Sequence, residues 1–270
     1  FAWSVLGAIA EVTQKIGITT GLTCPIIRYH PAIIAQAAAT IGTMSDGRFT
    51  LALGAGERLN EHVVGHGWPS VDDRHVMLRE AIDIIRALWS GELISHNGTY
   101  YDVESARVYD LPDKEIPIVV GASGQKSGTL AGEMGAGLMA VEPNRELVQE
   151  WKSAGGKGPR YGEMALGYAK SKEEGLKLVH KYMRFGALGW SVLAELPGVA
   201  AFEEATQFVK PDDLRASVPH GPDVDAYVQA VKKFTDAGFD HVVLLAVGPD
   251  QESFIRFYKD KLAPALRSLG

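Results

Sequence analysis

The chain has 270 residues, enough to bury a substantial core and within reach of a single α/β barrel domain. Hydrophobic residues make up 46% and charged residues 22%; 27 Lys and Arg against 33 Asp and Glu give a formal charge of −6, which with no basic run argues against nucleic-acid or membrane-surface binding. Cys24 is the single cysteine, which excludes an intrachain disulfide and favours a reducing compartment; with no apolar run of about 18 residues and no signal peptide, the expected setting is cytoplasmic.

Residues 1–10 open directly on helical periodicity without an initiator Met or a cap, so the chain is expected to be a fragment whose natural start lies upstream. Residues 17–22 (GITTGL) read as a strand. Pro31 suits the first turn of a helix over 32–44, with His30 a structural residue at its entry. Asp46-Gly47-Arg48 turns the chain into a strand over 49–54, and a long helix follows over 73–89 with Met77, Ala81, Ile84, Ile85 and Leu88 on one face. Asn97-Gly98 between two alternating runs predicts a surface hairpin over 91–103.

A buried strand at 117–120 runs into Gly121-Ala122-Ser123-Gly124, and short apolar strands are expected at 137–141 and 164–169, with a loop over 152–160 between them. A helix is expected over 171–184, then an irregular to helical stretch over 185–218. The helix over 222–237 stops at Gly238. Residues 242–246 (VVLLA) form a continuous apolar run, which predicts a parallel strand covered on both faces. A last helix is expected over 251–262.

These are six strand–helix units in one domain over 1–270. Barrels of this kind close with eight strands, so two further units are expected upstream.

Phe49 to Glu61 (FTLALGAGERLNE) is the most informative stretch. Small residues at a strand's carboxyl end let a ligand approach the backbone, and Glu57 and Asn60, three apart, can face it together. Gly54-Ala55-Gly56 begins like a dinucleotide fingerprint, but Leu59 stands where its last glycine would fall. His62 and His66 are four apart without the H-E-x-x-H order, so no metal site is expected.

Three stretches carry a resemblance. They are Thr20-Gly21-Leu22-Thr23-Cys24-Pro25, Arg28 to Gln36 (RYHPAIIAQ), and Gly54 to Glu61; Leu88-Trp89-Ser90-Gly91, Tyr100-Tyr101, Ile116-Pro117-Ile118 and Leu262-Ala263-Pro264 add to them. In order and spacing the chain resembles the luciferase-like superfamily of flavin and deazaflavin oxidoreductases. Within it, the branch using coenzyme F420, and the glucose-6-phosphate dehydrogenase type, is the most similar. The resemblance covers nearly the whole chain. It implies a TIM (β/α)8 barrel, truncated here to about six units, with hydride transfer at carbon 5 of a deazaflavin lying across the strand ends. It also implies a cytoplasmic homodimer acting on a small alcohol-type substrate or a sugar phosphate.

By the same resemblance, Gly21-Leu22 is a non-proline cis peptide against the ring, and Thr23 and Cys24 lie beside it. Cys24 can equally be a small buried hydrophobe. Glu57 is the catalytic carboxyl group, a proton donor or a stabiliser of charge, whose pKa the ring would raise. Asn60 binds the cofactor, and Ala122, Ser123 and Gly124 receive its phosphate. Arg215 is the one match to a substrate-phosphate arginine. Departures are equally visible. The catalytic His and a nearby Trp of the family would lie upstream of Phe1, and Val141-Glu142-Pro143-Asn144 offers no cation where the sugar phosphate would sit. An FMN-dependent monooxygenase of the same superfamily and a non-catalytic F420-binding protein are the alternatives.

Overall fold

The computed structural model describes residues 1–269. The chain divides into two compact units, Phe1–Met139 with Gln149–Gly158, and Ala140–Val148 with the chain from Pro159 onward.

The first unit carries helices α1 (Ala2–Val12), α2 (Pro31–Met44), α3 (Arg58–Glu61), α4 (Val71–Leu88) and α5 (Gln125–Glu133). Its strands are β1 (Ile18–Thr19), β2 (Phe49–Leu53), the hairpin pair β3 (Ile94–Asn97) and β4 (Asp102–Ala106), β5 (Ile118–Gly121) and most of β6 (Gly137–Ala140). Strand β1 pairs with β2, β2 with β5 and β5 with β6, all parallel, with Ile18 opposite Phe49, Leu51 opposite Ile118 and Val119 opposite Gly137. Consecutive apolar residues make these strands buried on both faces: Leu51, Ala52, Leu53, Val119, Val120 and Leu138 are all fully enclosed. Helix α2 packs on β2 and α4 packs on α2, burying Ile34, Ala35, Ala38, Leu78, Ile82 and Ile85.

Local chemistry sets the helix starts. The His30 ring nitrogen Nδ1 accepts from the Ala32 amide at 3.2 Å, with Pro31 in the first turn; Ser70 caps α4 by accepting from the Asp73 amide at 3.2 Å. The hairpin is held from α4 by Glu80, whose carboxylate accepts from the amides of Thr99 (3.2 Å), Tyr100 (3.2 Å) and Tyr101 (3.0 Å). A Cβ on Gly98 would lie 1.8 Å from Glu80 Oε1, so the glycine at the turn is required by this close approach.

The residues of helix α6 (Arg145–Ser153) are divided between the two units. The second unit carries α7 (Lys172–Met183), α8 (Trp190–Leu193), α9 (Gly198–Thr206), α10 (Pro211–Leu214), α11 (Val224–Ala237), α12 (Gln251–Phe257) and α13 (Ala263–Leu266), with the parallel strands β7 (Arg160–Leu166) and β8 (His241–Ala246). Its core is built from Leu166, Leu176, Val179, Leu214, Tyr227, Phe234 and Leu262.

The six parallel strands and the hairpin fall where the sequence places them, with three differences. Strand β7 begins at Arg160, not at 164, because the Asp240 carboxylate accepts from the Arg160 amide (2.8 Å) and from its guanidinium (3.0 Å), drawing that polar stretch into pairing. Strand β8 is not covered on both faces: every residue in it is at least partly exposed, and Leu245 is 43% exposed, since within its unit β8 is hydrogen-bonded to β7 alone. The last helix widens to a π turn over Tyr258–Leu262, where Pro264 has no N–H to give to the Asp260 carbonyl.

Candidate functional site

The carboxyl ends of β1, β2 and β5 lie side by side, and the expected cofactor residues stand on all three. At the end of β1 regular pairing stops. The Thr20 hydroxyl donates to the Ala52 carbonyl (2.7 Å) and accepts from the Ala52 amide (2.9 Å), taking the place of a backbone partner. Three residues later the Thr23 amide returns to the same carbonyl at 2.9 Å, and the Gly54 amide donates to the Thr23 carbonyl at 2.9 Å. Gly21 and Leu22, fixed at both ends, project outward between these anchors. The peptide between them is cis.

Leu22 rests over two glycines. A Cβ on Gly54 would lie 3.0 Å from Leu22 Cδ1, and one on Gly121 would lie 2.3 Å from it. The ends of β2 and β5 are therefore bare so that the Leu22 side chain, itself 39% exposed, can lie across them. The result is an apolar platform flanked by strand ends.

Glu57 follows on the extended residue that starts α3, and its carbonyl accepts from the amides of Asn60 (3.0 Å) and Glu61 (3.2 Å). This turn aims Glu57 and Asn60 the same way, with Asn60 Nδ2 3.4 Å from Glu57 Oε2. Burial without a compensating charge pushes the Glu57 carboxyl above the usual carboxylate range. Gly56 has φ of 83°, and a Cβ there would come 3.1 Å from the Trp68 ring, so no other residue fits the approach to Glu57 without displacement. Burial, and then the charges of Glu61 and Glu57, push the Cys24 thiol up to about 12. The half-buried sulfur is thus held as a thiol rather than a reactive thiolate.

After β5, Ala122 is buried, and its amide donates to the Met139 carbonyl at 2.8 Å. Ser123 and Gly124 are exposed, but their amides both donate to Ser127 Oγ at 3.2 Å. The first amides of α5, on Gln125 and Lys126, have no acceptor within the helix and are the donors left for an anion beside the Ser123 hydroxyl. Ser127 was not anticipated from the sequence, although a hydroxyl three residues past a helix start is a capping signal. Nor were Thr20, Gly121 and Glu61, whose partners are far away in sequence.

Arg215 lies in the second unit, following α10. Its Nε and Nη2 donate to Asp212 Oδ1 at 2.9 and 2.7 Å, and Nη1 is 3.5 Å from Glu173 Oε1. The hydrogen bond to Asp212 is the main cause raising its pKa. Asn144 is occupied as the cap of α6, accepting from the Leu147 amide at 3.1 Å. Among the described residues no helix is long and apolar enough to cross a membrane.

Residues 1–160 match the family model of luciferase-like monooxygenases. The F420-dependent glucose-6-phosphate dehydrogenase of Microbacterium testaceum is 33% identical, over 97% of this chain and 82% of that protein. The enzyme of the same name from Segniliparus rotundus is 35% identical, over 99% of this chain and 83% of its own length. Among solved structures, an F420-dependent secondary alcohol dehydrogenase in complex with an F420-acetone adduct superposes with a TM-score of 0.89 at 28% identity, covering 98% of this chain and 84% of that one. The F420-dependent tetrahydromethanopterin reductase of Methanopyrus kandleri shares the fold, with a TM-score of 0.77 at 21% identity, covering 98% of this chain and 87% of that one. The matching family model and these relatives show that the chain belongs to the luciferase-like family, among its F420-dependent oxidoreductases.

Proposed function

We propose that this chain is an F420-dependent oxidoreductase that moves a hydride between a small, uncharged alcohol or ketone and carbon 5 of the deazaflavin. The observation that carries the reading is the platform. Leu22 lies across Gly54 and Gly121, with Glu57 and Asn60 following the end of β2 and the Ser123–Lys126 turn following the end of β5, at the carboxyl ends of neighbouring parallel strands. Bound there, F420 supplies a hydride acceptor that does not itself react readily with oxygen.

The residues present fit such a group. The flat, apolar Leu22 surface seats a ring, and the exposed Asn60 amide can bond its polar edge. The outward amides at the start of α5 suit a phosphate. Glu57 holds a proton at its carboxyl group longer than an exposed glutamate would, because burial opposes its charge. It can therefore give a proton to an anionic partner or take one from a hydroxyl. An uncharged substrate is favoured because the one arginine matched to sugar-phosphate binding is already paired with Asp212 and Glu173. The alcohol–ketone pair is further supported by the relative solved with an F420-acetone adduct.

The test is a cofactor screen on the purified protein. F420 should lose its visible absorbance on addition of secondary alcohols, aerobically and without FMN. Reduction by glucose 6-phosphate alone would overturn the substrate, oxygen-dependent turnover with FMN would establish the monooxygenase, and F420 binding with no turnover on any alcohol, ketone or sugar phosphate would establish a binding protein.

A further inference from the structure

We propose that Glu61 is a positioning residue of this site, a latch that sets the Leu22 loop against the helix carrying Glu57 and Asn60; the role rests on the cofactor reading above. Glu61 is the last residue of α3, one position past Asn60, and its side chain is 0% exposed. A carboxylate so enclosed is costly to keep unless it answers specific donors. Its Oε2 accepts from the amide of Arg28 at 2.8 Å and from that of Ile27 at 3.4 Å. Oε1 makes no hydrogen bond, and Arg28 Nε lies 3.7 Å from it.

The loop from Pro25 to Arg28 continues directly from Gly21–Cys24 and belongs to no strand or helix. Side chains distant in sequence meet its polar groups instead. The Tyr101 hydroxyl lies 3.0 Å from the Pro25 carbonyl and 2.9 Å from that of Ile26, and Glu61 takes the next two amides. Tyr101 comes from the hairpin, so it cannot register the loop against α3. Glu61 can, because its own amide is bonded to the Glu57 carbonyl at 3.2 Å. One residue thus ties the platform loop and the proton-carrying helix together. The same carboxylate is one cause, after burial, of the raised Cys24 thiol, which makes the thiol a probe of the Glu61 charge that needs no cofactor.

The experiment uses Glu61→Ala and Glu61→Gln in the full chain. F420 affinity is measured by fluorescence titration, the Cys24 alkylation rate with iodoacetamide at one mildly alkaline pH, and the melting temperature throughout. Glu61→Ala should weaken F420 binding about tenfold or more and speed alkylation. Glu61→Gln keeps an oxygen that can accept from both amides, so affinity should return to within about threefold of the parent. Alkylation should stay fast in that variant, because the charge is gone. A merely structural role would lower the melting temperature of both variants and leave the affinity of the folded protein unchanged, which overturns the latch; so does a Gln variant as damaged as Ala. If Glu61→Ala does not fold, Glu61→Asp, too short to reach both amides, replaces it with the same expectations. Should the parent not bind F420, the cofactor reading fails, and the latch is judged on hydrogen exchange at the Ile27 and Arg28 amides: exchange as slow in Glu61→Ala as in the parent refutes it.

Discussion

Gly121→Ala separates the platform from the stability of the fold. A Cβ at this position would stand 2.3 Å from Leu22 Cδ1. Carbon atoms in contact rest at about 3.8 Å, so the leucine must retreat by about 1.5 Å. Because Leu22 is 39% exposed, it can swing toward solvent, and an off-rotamer leucine costs about 1 kcal/mol. The fold should therefore survive with a small loss of stability. The seat for the ring should not, and a loss of about 1.4 kcal/mol in binding corresponds to about a tenfold rise in the F420 dissociation constant. Fluorescence titration gives the affinity, and a denaturant melt the stability. A double-mutant cycle completes the argument: in a Leu22→Ala background, where nothing is left to displace, Gly121→Ala should cost no further affinity. Parental affinity in the single variant, or an equal loss in both backgrounds, would refute the platform.

Three other outcomes follow from the same geometry. Glu57→Gln should lower turnover about a hundredfold or more while F420 affinity changes by less than about threefold, as steady-state kinetics and titration will show. Since burial raises the Glu57 pKa, its contribution to stability is full below the ordinary glutamate range and is lost as pH rises through the folded value, so the melting temperature of Glu57→Gln should gain on the parent as pH is raised through that window. At Glu80 burial alone would raise the pKa, but the amides of Tyr101, Tyr100 and Thr99 and the His96 ring hold it below the usual range. The stability it gives is present above the ordinary value and lost as pH falls through the lowered one; Glu80→Gln should blunt that acid loss and speed hydrogen exchange at Thr99–Tyr101. Arg215→Gln, at a surface ion pair, should leave the denaturant midpoint nearly unchanged and alcohol oxidation within about twofold.

The strands were legible because apolar runs such as Leu51–Leu53 and Ile118–Val120 are buried by the layers above and below them, a demand written locally in the chain. Glu57 and Asn60 were legible because one turn of helix fixes their relation. The platform was not, because it depends on Leu22 meeting glycines 32 and 99 positions away, and no local pattern distinguishes a glycine that admits a neighbour from one that merely turns. Ser127 shows the same limit at short range. The phosphate reading of Ser123 and Gly124 treated their amides as free, whereas a hydroxyl a few residues on already accepts from both. Arg215 matched by type and position, but its charge is taken up by Asp212, three residues earlier. Sequence named the groups; which of them had already spent their hydrogen bonds was decided by packing.

The backbone of one residue, Ala52, holds Thr20 and Thr23 at the two ends of the outward segment, through its carbonyl and its amide. Its side chain takes no part in this. The chain thus contains a built-in gauge: the enclosed Ala52 amide proton is bonded to Thr20, so its exchange with deuterium requires that bond to open and reports how often the seat opens. A ring settling on Leu22 should slow that one proton more than its neighbours in the strand, which lets occupancy be followed without any label and before any reaction begins.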